Sequence, residues 1–101
     1  MKNYLNLISL TRNLDNLNEK ELKAYLAVGL AGESGELCNL VKKDLFYTGR
    51  TISRDDLLGE IGDCLYYLLN LASEYGFTVE EVVENNSAKV KKIIDKHNQY
   101  R

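Results

Sequence analysis

Apolar residues recur with a period near 3.6 in four stretches of the chain, and a period of two never holds for more than a few residues. The first and weakest stretch covers about residues 2–15, with Tyr4, Leu7, Ile8 and Leu14 on one side. The second runs from about Glu19 to Phe46, with Asn18 as its cap and Glu21 three residues later. The segment from Tyr47 to Ile52 breaks the pattern and predicts a loop. Ser53 caps a third helix, with Asp56 at its third position, that continues to about Tyr75. Gly76 suits the left-handed residue that ends a helix. Thr78 and Glu81 then form a capping box, and a fourth helix runs to about Tyr100.

Short loops between long helices place neighbours antiparallel, so the expected fold is all-α, an up-and-down four-helix bundle in one domain spanning residues 1–101. The third helix carries a further message. From Leu65 to Ala72 it is apolar or aromatic nearly all the way round, which predicts burial on more than one face. A bundle of 101 residues cannot bury such a helix alone, so a homo-oligomer is expected, at least a dimer. The competing reading leaves the tyrosine rings on the outside with their hydroxyls wet.

Composition narrows the class. Hydrophobic residues make up 45% and charged residues 28%, as in an ordinary soluble globular domain. The absence of a run of about 18 apolar residues argues against a membrane partner. Met1–Asn6 lacks the apolar core of a signal peptide. A net charge of −2 argues against a broad nucleic-acid footprint. Cys38 and Cys64 fall mid-helix without paired spacing and read as buried thiols in a reducing cytoplasm.

The second helix then breaks its own pattern. Gly29, Gly32 and Gly35 lie inside it, each costing about 1 kcal/mol against alanine. Glu33 stands in the apolar stripe Leu22, Leu26, Leu30, Glu33, Leu37, Leu40, and Glu36 lies on its edge. Local cost without local gain suggests a site. The third helix offers Glu60 and Asp63 at the same spacing of three, which points two side chains the same way. Glu36 stands roughly 15 Å from the loop, and Glu60 and Asp63 roughly 9–14 Å beyond it. With the helices antiparallel, the four carboxylates share one height. Such acids repel one another unless a cation sits among them, and all-oxygen ligation selects Mg²⁺ first, with Mn²⁺ next. Acidic pairs at this spacing are also common on solvated helix faces, so on spacing alone the two readings stand about even. The single histidine, His97, lies near the far end of the fourth helix and reads as an exposed helix-end residue. The Glu-x-x-His pairs of a di-iron bundle are missing.

The fourth helix has its own interruption. Asn86 breaks the stripe Val79, Val82, Val83, Val90, Ile93, Ile94, and Lys89 lies at its edge. Packed antiparallel on the third helix, Lys89 would come level with Asp63. An ammonium and an amide beside a metal held by carboxylates suit a polyphosphate. Taken singly, Asn86 reads more simply as a register-fixing polar residue and Lys89 as a flanking charge. The glycines follow no strand, and no Gly-Lys-Ser/Thr appears, so neither a dinucleotide fingerprint nor a phosphate loop is present. Lys42-Lys43 and Lys91-Lys92 read as solvated faces.

Three segments carry a resemblance: Gly-Leu-Ala-Gly-Glu33-Ser-Gly-Glu36-Leu, Leu-Leu-Gly-Glu60-Ile-Gly-Asp63-Cys-Leu-Tyr-Tyr-Leu, and Glu-Asn-Asn86-Ser-Ala-Lys89-Val. In order and spacing, over about residues 22–95, they resemble the MazG-like all-α nucleoside triphosphate pyrophosphohydrolases. The resemblance implies hydrolysis of nucleoside triphosphates to a monophosphate and pyrophosphate with Mg²⁺, in dimers or tetramers of helical bundles. It implies that Glu33, Glu36, Glu60 and Asp63 bind the metal. One of the catalytic pair Glu36 and Glu33, Glu36 for choice, handles the attacking water. Asn86 and Lys89 contact the nucleotide. The arginine that such proteins often carry soon after this lysine is replaced here by Lys91 and Lys92. The alternative is a non-catalytic helical module for oligomerisation or partner binding.

Overall fold

The computed structural model describes residues 1–47 and 52–99. Four α-helices account for most of them: α1 (Lys2–Ser9), α2 (Glu19–Phe46), α3 (Arg54–Glu74) and α4 (Val79–Gln99), with a 3₁₀ turn at Leu10–Asn13. The loop expected after Tyr47 and the expected end of the last helix at Tyr100 fall mostly outside the described residues.

The caps form as their residue types dictate. Asn18 Oδ1 accepts from the Glu21 N–H at 2.8 Å, and Glu21 Oε1 accepts in return from the Asn18 N–H at 3.0 Å. Ser53 Oγ accepts from the N–H groups of Asp55 and Asp56. Thr78 and Glu81 close the third cap, with Glu81 N–H donating to Thr78 Oγ1 at 3.1 Å. Gly76 ends α3 with φ +79°, which glycine adopts without cost.

The first helix is shorter than its apolar pattern suggests. It stops at Ser9, where the Ser9 hydroxyl donates to the Asn6 carbonyl and the Thr11 hydroxyl to the Ile8 carbonyl. Such side-chain bonds to the preceding turn compete with the helix and tighten it into the 3₁₀ turn. Asn16 then takes φ +53° before α2 begins.

Helices α2 and α3 form the antiparallel pair at the centre. Their cross-contacts run in opposite order along the two helices. Lys23 lies over the Tyr75 ring at 4.6 Å, Tyr25 meets Tyr67 at 6.1 Å between centroids, and Glu33 meets Glu60. Leu22, Leu26 and Leu69 are buried, Leu26 at 1% exposure. Helix α1 lies on α3 with Ile8 buried, and the 3₁₀ turn after it adds the Thr11–Tyr66 hydroxyl pair and an Arg12–Glu74 ion pair of 3.1 Å.

The fourth helix departs from the expected bundle. Rather than packing along α3, α4 makes only passing contact with the rest of the chain. None of its residues is buried, and Val82, Val83, Val90, Ile93 and Ile94 are exposed. The outer face of α3 is open as well, at Leu58, Ile61, Leu65 and Leu68. The radius of gyration is 17.2 Å, against about 13 Å for a compact domain of this length. Among the described residues, no helix is long and apolar enough to cross a membrane.

Candidate metal centre

Two helices meet at the acids because of what lies one turn below them. Tyr67 of α3 packs its ring directly on Gly29 of α2, where any Cβ would stand 2.6 Å from Cδ1 and 2.7 Å from Cζ. The first of the three costly glycines is therefore a packing residue that lets the helices approach. The ring is also held edge-on by Tyr66, at 5.1 Å and 88°. Interaction of its hydroxyl with that of Tyr25, followed by burial, pushes the Tyr67 phenol up to about 12. Above Gly32 and Gly35 there is open space within 4 Å of a would-be Cβ, and the same holds at Gly59 and Gly62.

Directly beyond this seam, Glu33 and Glu36 of α2 and Glu60 of α3 converge. Each offers one carboxylate oxygen, and these oxygens lie within 4.8 Å of one another. Glu33 and Glu60 are half-buried, and Glu36 is exposed. Glu33 Oε2 and Glu60 Oε2 are both closed off from solvent and accept no hydrogen bond. A buried, unpartnered carboxylate oxygen costs free energy unless a cation or donor reaches it. Two of them, contributed by facing helices, are what a hard divalent ion would satisfy. The Glu33 carboxyl is raised above the ordinary range, first by desolvation and then by the charges of Glu36, Asp63 and Glu60.

The other expected residues sit further out. Asp63 is exposed and lies outside the tight set of three, though near enough for its charge to act on Glu33. Asn86 and Lys89 are exposed on α4, which does not lie against α2 or α3 of its own chain. The packing thus brings Glu33, Glu36 and Glu60 together, and leaves Asn86 and Lys89 apart from them within one protomer.

Two participants escaped the sequence reading. Tyr67 shares a face of α3 with Glu60 and Asp63, and that spacing was its only signal. Asn70 continues the same face, at 1% exposure, with an unpartnered Nδ2. It borders a cavity of about 240 Å³ between α1, the end of α3 and the start of α4. Nothing in the pattern of the sequence distinguishes it from a solvated asparagine.

The MazG nucleotide pyrophosphohydrolase domain family matches residues 18–100. The Gene 37 protein of Mycobacterium phage L5 is 37% identical over 70 residues, covering 66% of this chain and 61% of the phage protein. The chain thus matches somewhat less than two thirds of that relative's length. No solved structure matches it.

Proposed function

The chain belongs to the MazG nucleotide pyrophosphohydrolase family, and from that premise we propose that it is a Mg²⁺-dependent nucleoside triphosphate pyrophosphohydrolase. The reaction consumes one water and yields a nucleoside monophosphate and pyrophosphate. The observation that carries this reading is the pair of occluded, unpartnered oxygens of Glu33 and Glu60, facing each other across two helices.

Glu33, Glu36, Glu60 and Asp63 would hold Mg²⁺, with Mn²⁺ as the natural substitute, since every donor is a hard oxygen. When bound, the ion supplies positive charge against the phosphate oxygens and makes a nearby water more acidic. The rest is done by the chain. Glu36, the solvent-facing member of the set, takes the proton of the attacking water, and Glu33 orients it. Tyr67, held protonated at neutral pH, keeps the two helices in register beneath the acids. Asn86 and Lys89 bind the nucleotide, the ammonium against phosphate and the amide against sugar, base or phosphate. The exposed apolar faces of α3 and α4 are covered in a homodimer or homotetramer that completes the helical bundle. The substrates are free nucleotides of the cytoplasm.

The test is product analysis. The purified protein is incubated with Mg²⁺ and a panel of ribo- and deoxyribonucleoside triphosphates. Equal amounts of monophosphate and pyrophosphate support the proposal. Orthophosphate with diphosphate, or no turnover across the panel, refutes it.

A further inference from the structure

One buried group has no part in the metal centre or in its proposed chemistry. Asn70 is 1% exposed, and its Nδ2 meets no acceptor. Water does not reach that nitrogen either. A stranded donor costs free energy in the empty protein, and a molecule that accepts from it recovers that cost. Asn70 lines the cavity of about 240 Å³ between α1, the end of α3 and the start of α4. We propose that this cavity binds a small neutral carbonyl compound, an amide, lactam or ketone on a compact apolar body. The inference does not rest on the nucleotide reading.

Size and walls set the body of the ligand. At roughly 30 Å³ per water in the liquid, the cavity takes about eight non-hydrogen atoms. Leu5 and Ile8 of α1, Leu69 of α3 and Phe77 of the following turn give it apolar walls. Ile8 and Leu69 are buried, so those walls are fixed, whereas Phe77 is 54% exposed and its ring can yield to an incoming molecule. An apolar body on these walls with a few polar groups to orient it is the usual composition of a small-molecule site.

The polar groups set the head of the ligand. Arg12 also lines the cavity. Its Nη1 donates to Glu74 Oε2 at 3.1 Å, and among the described residues this is its one hydrogen bond, so further N–H groups stay available. Asn70 Nδ2 and the guanidinium are donors, and both call for an acceptor oxygen. That oxygen is best carried by a neutral group. Glu74 already matches the charge of Arg12, and Glu80 at the cavity wall would repel a carboxylate. The site also stands apart from the acids. Asn70 lies seven residues beyond Asp63 on α3, roughly 10 Å along the axis. The edge-on pair of Tyr66 and Tyr67 rings stands between them on the same helix, and Tyr66 is tied by its hydroxyl to Thr11. Because the cavity touches both α1 and α4, an occupant joins the first turn of α4 to the rest of the chain.

Amide NMR spectra of the full chain in Mg²⁺ buffer test this, with ε-caprolactam as the probe. The side-chain amide signal of Asn70, identified by its loss in Asn70→Leu, should move along a saturable curve, and the lactam should raise Tm. Asn70→Leu should weaken binding by roughly tenfold or more. Ala72→Leu fills the cavity while keeping the amide, so it should abolish binding and carries the test if Asn70→Leu does not fold. A signal that never saturates overturns the inference, as does lactam binding that both variants leave unchanged. Benzene or cyclohexanecarboxylate binding as tightly as the lactam would overturn it too, since the cavity would then be a plain void or an anion site. So would displacement of the lactam by a non-hydrolysable nucleoside triphosphate, which would make the cavity part of the nucleotide site.

Discussion

Gly29→Ala isolates the contact that sets the spacing between α2 and α3. An alanine in a helix interior normally stabilises by about 1 kcal/mol over glycine. Here the added methyl would stand 2.6–2.7 Å from two atoms of the Tyr67 ring, and closer still to a third. The ring cannot swing away cheaply, because Tyr66 holds it edge-on and Tyr25 faces it. Overpacking of this kind costs about 1–3 kcal/mol. The net expectation is a loss of about 1 kcal/mol, which lowers Tm by roughly 4–8 °C for a domain of this size. The assay is thermal unfolding in metal-free buffer at one fixed protein concentration, for parent, Gly29→Ala, Tyr67→Leu and the double variant. Leucine makes room for the methyl, so the double variant should recover part of the loss, a coupling of about 1 kcal/mol. Because the seam lies directly beneath Glu33 and Glu60, Gly29→Ala should also weaken Mn²⁺ binding. A Gly29→Ala protein that melts above the parent, with no coupling to position 67, would refute the packing argument.

The other expectations follow from single groups. Glu33→Gln or Glu60→Gln removes a repelling charge, so the metal-free protein should melt no lower than the parent while Mg²⁺ or Mn²⁺ no longer raises its Tm. The raised Glu33 pKa makes protons stronger competitors, so Mn²⁺ affinity in titrations should weaken as the pH falls, beginning above the ordinary carboxylate range. The same shift gives the metal-free fold a contribution that is present below the ordinary carboxylate pKa and lost as pH rises through the raised value, measurable as Tm against pH. Asn70→Leu removes a buried donor without a partner and should raise stability by about 1 kcal/mol in denaturant unfolding, whereas a loss would mean that the amide is satisfied in solution.

Helices α2 and α3 were legible because local signals agree with one another there. The Asn18 and Ser53 caps, the long 3.6 periodicity and the polar loop all point to the same ends. The height of the acids followed from rise per residue alone, and Glu33, Glu36 and Glu60 meet as that arithmetic requires. The end of α1 was not legible, because apolar spacing does not register the Ser9 and Thr11 hydroxyls turning back on the helix. Neither was the direction of α4. Its stripe states that it must be buried, but a stripe carries no information on whether the burying surface belongs to the same chain. The three glycines looked alike in the sequence, and only the Tyr67 ring separates Gly29 from the open positions at Gly32 and Gly35.

Acids from two neighbouring helices turned inward on one hard cation form the foundation of this account. Calorimetric titration of Mn²⁺ into metal-free protein, parent beside Glu33→Gln, probes that foundation without relying on turnover. Saturable binding in the parent, lost in the variant, is the predicted result. Equal binding by both proteins, or none by the parent, would contradict it.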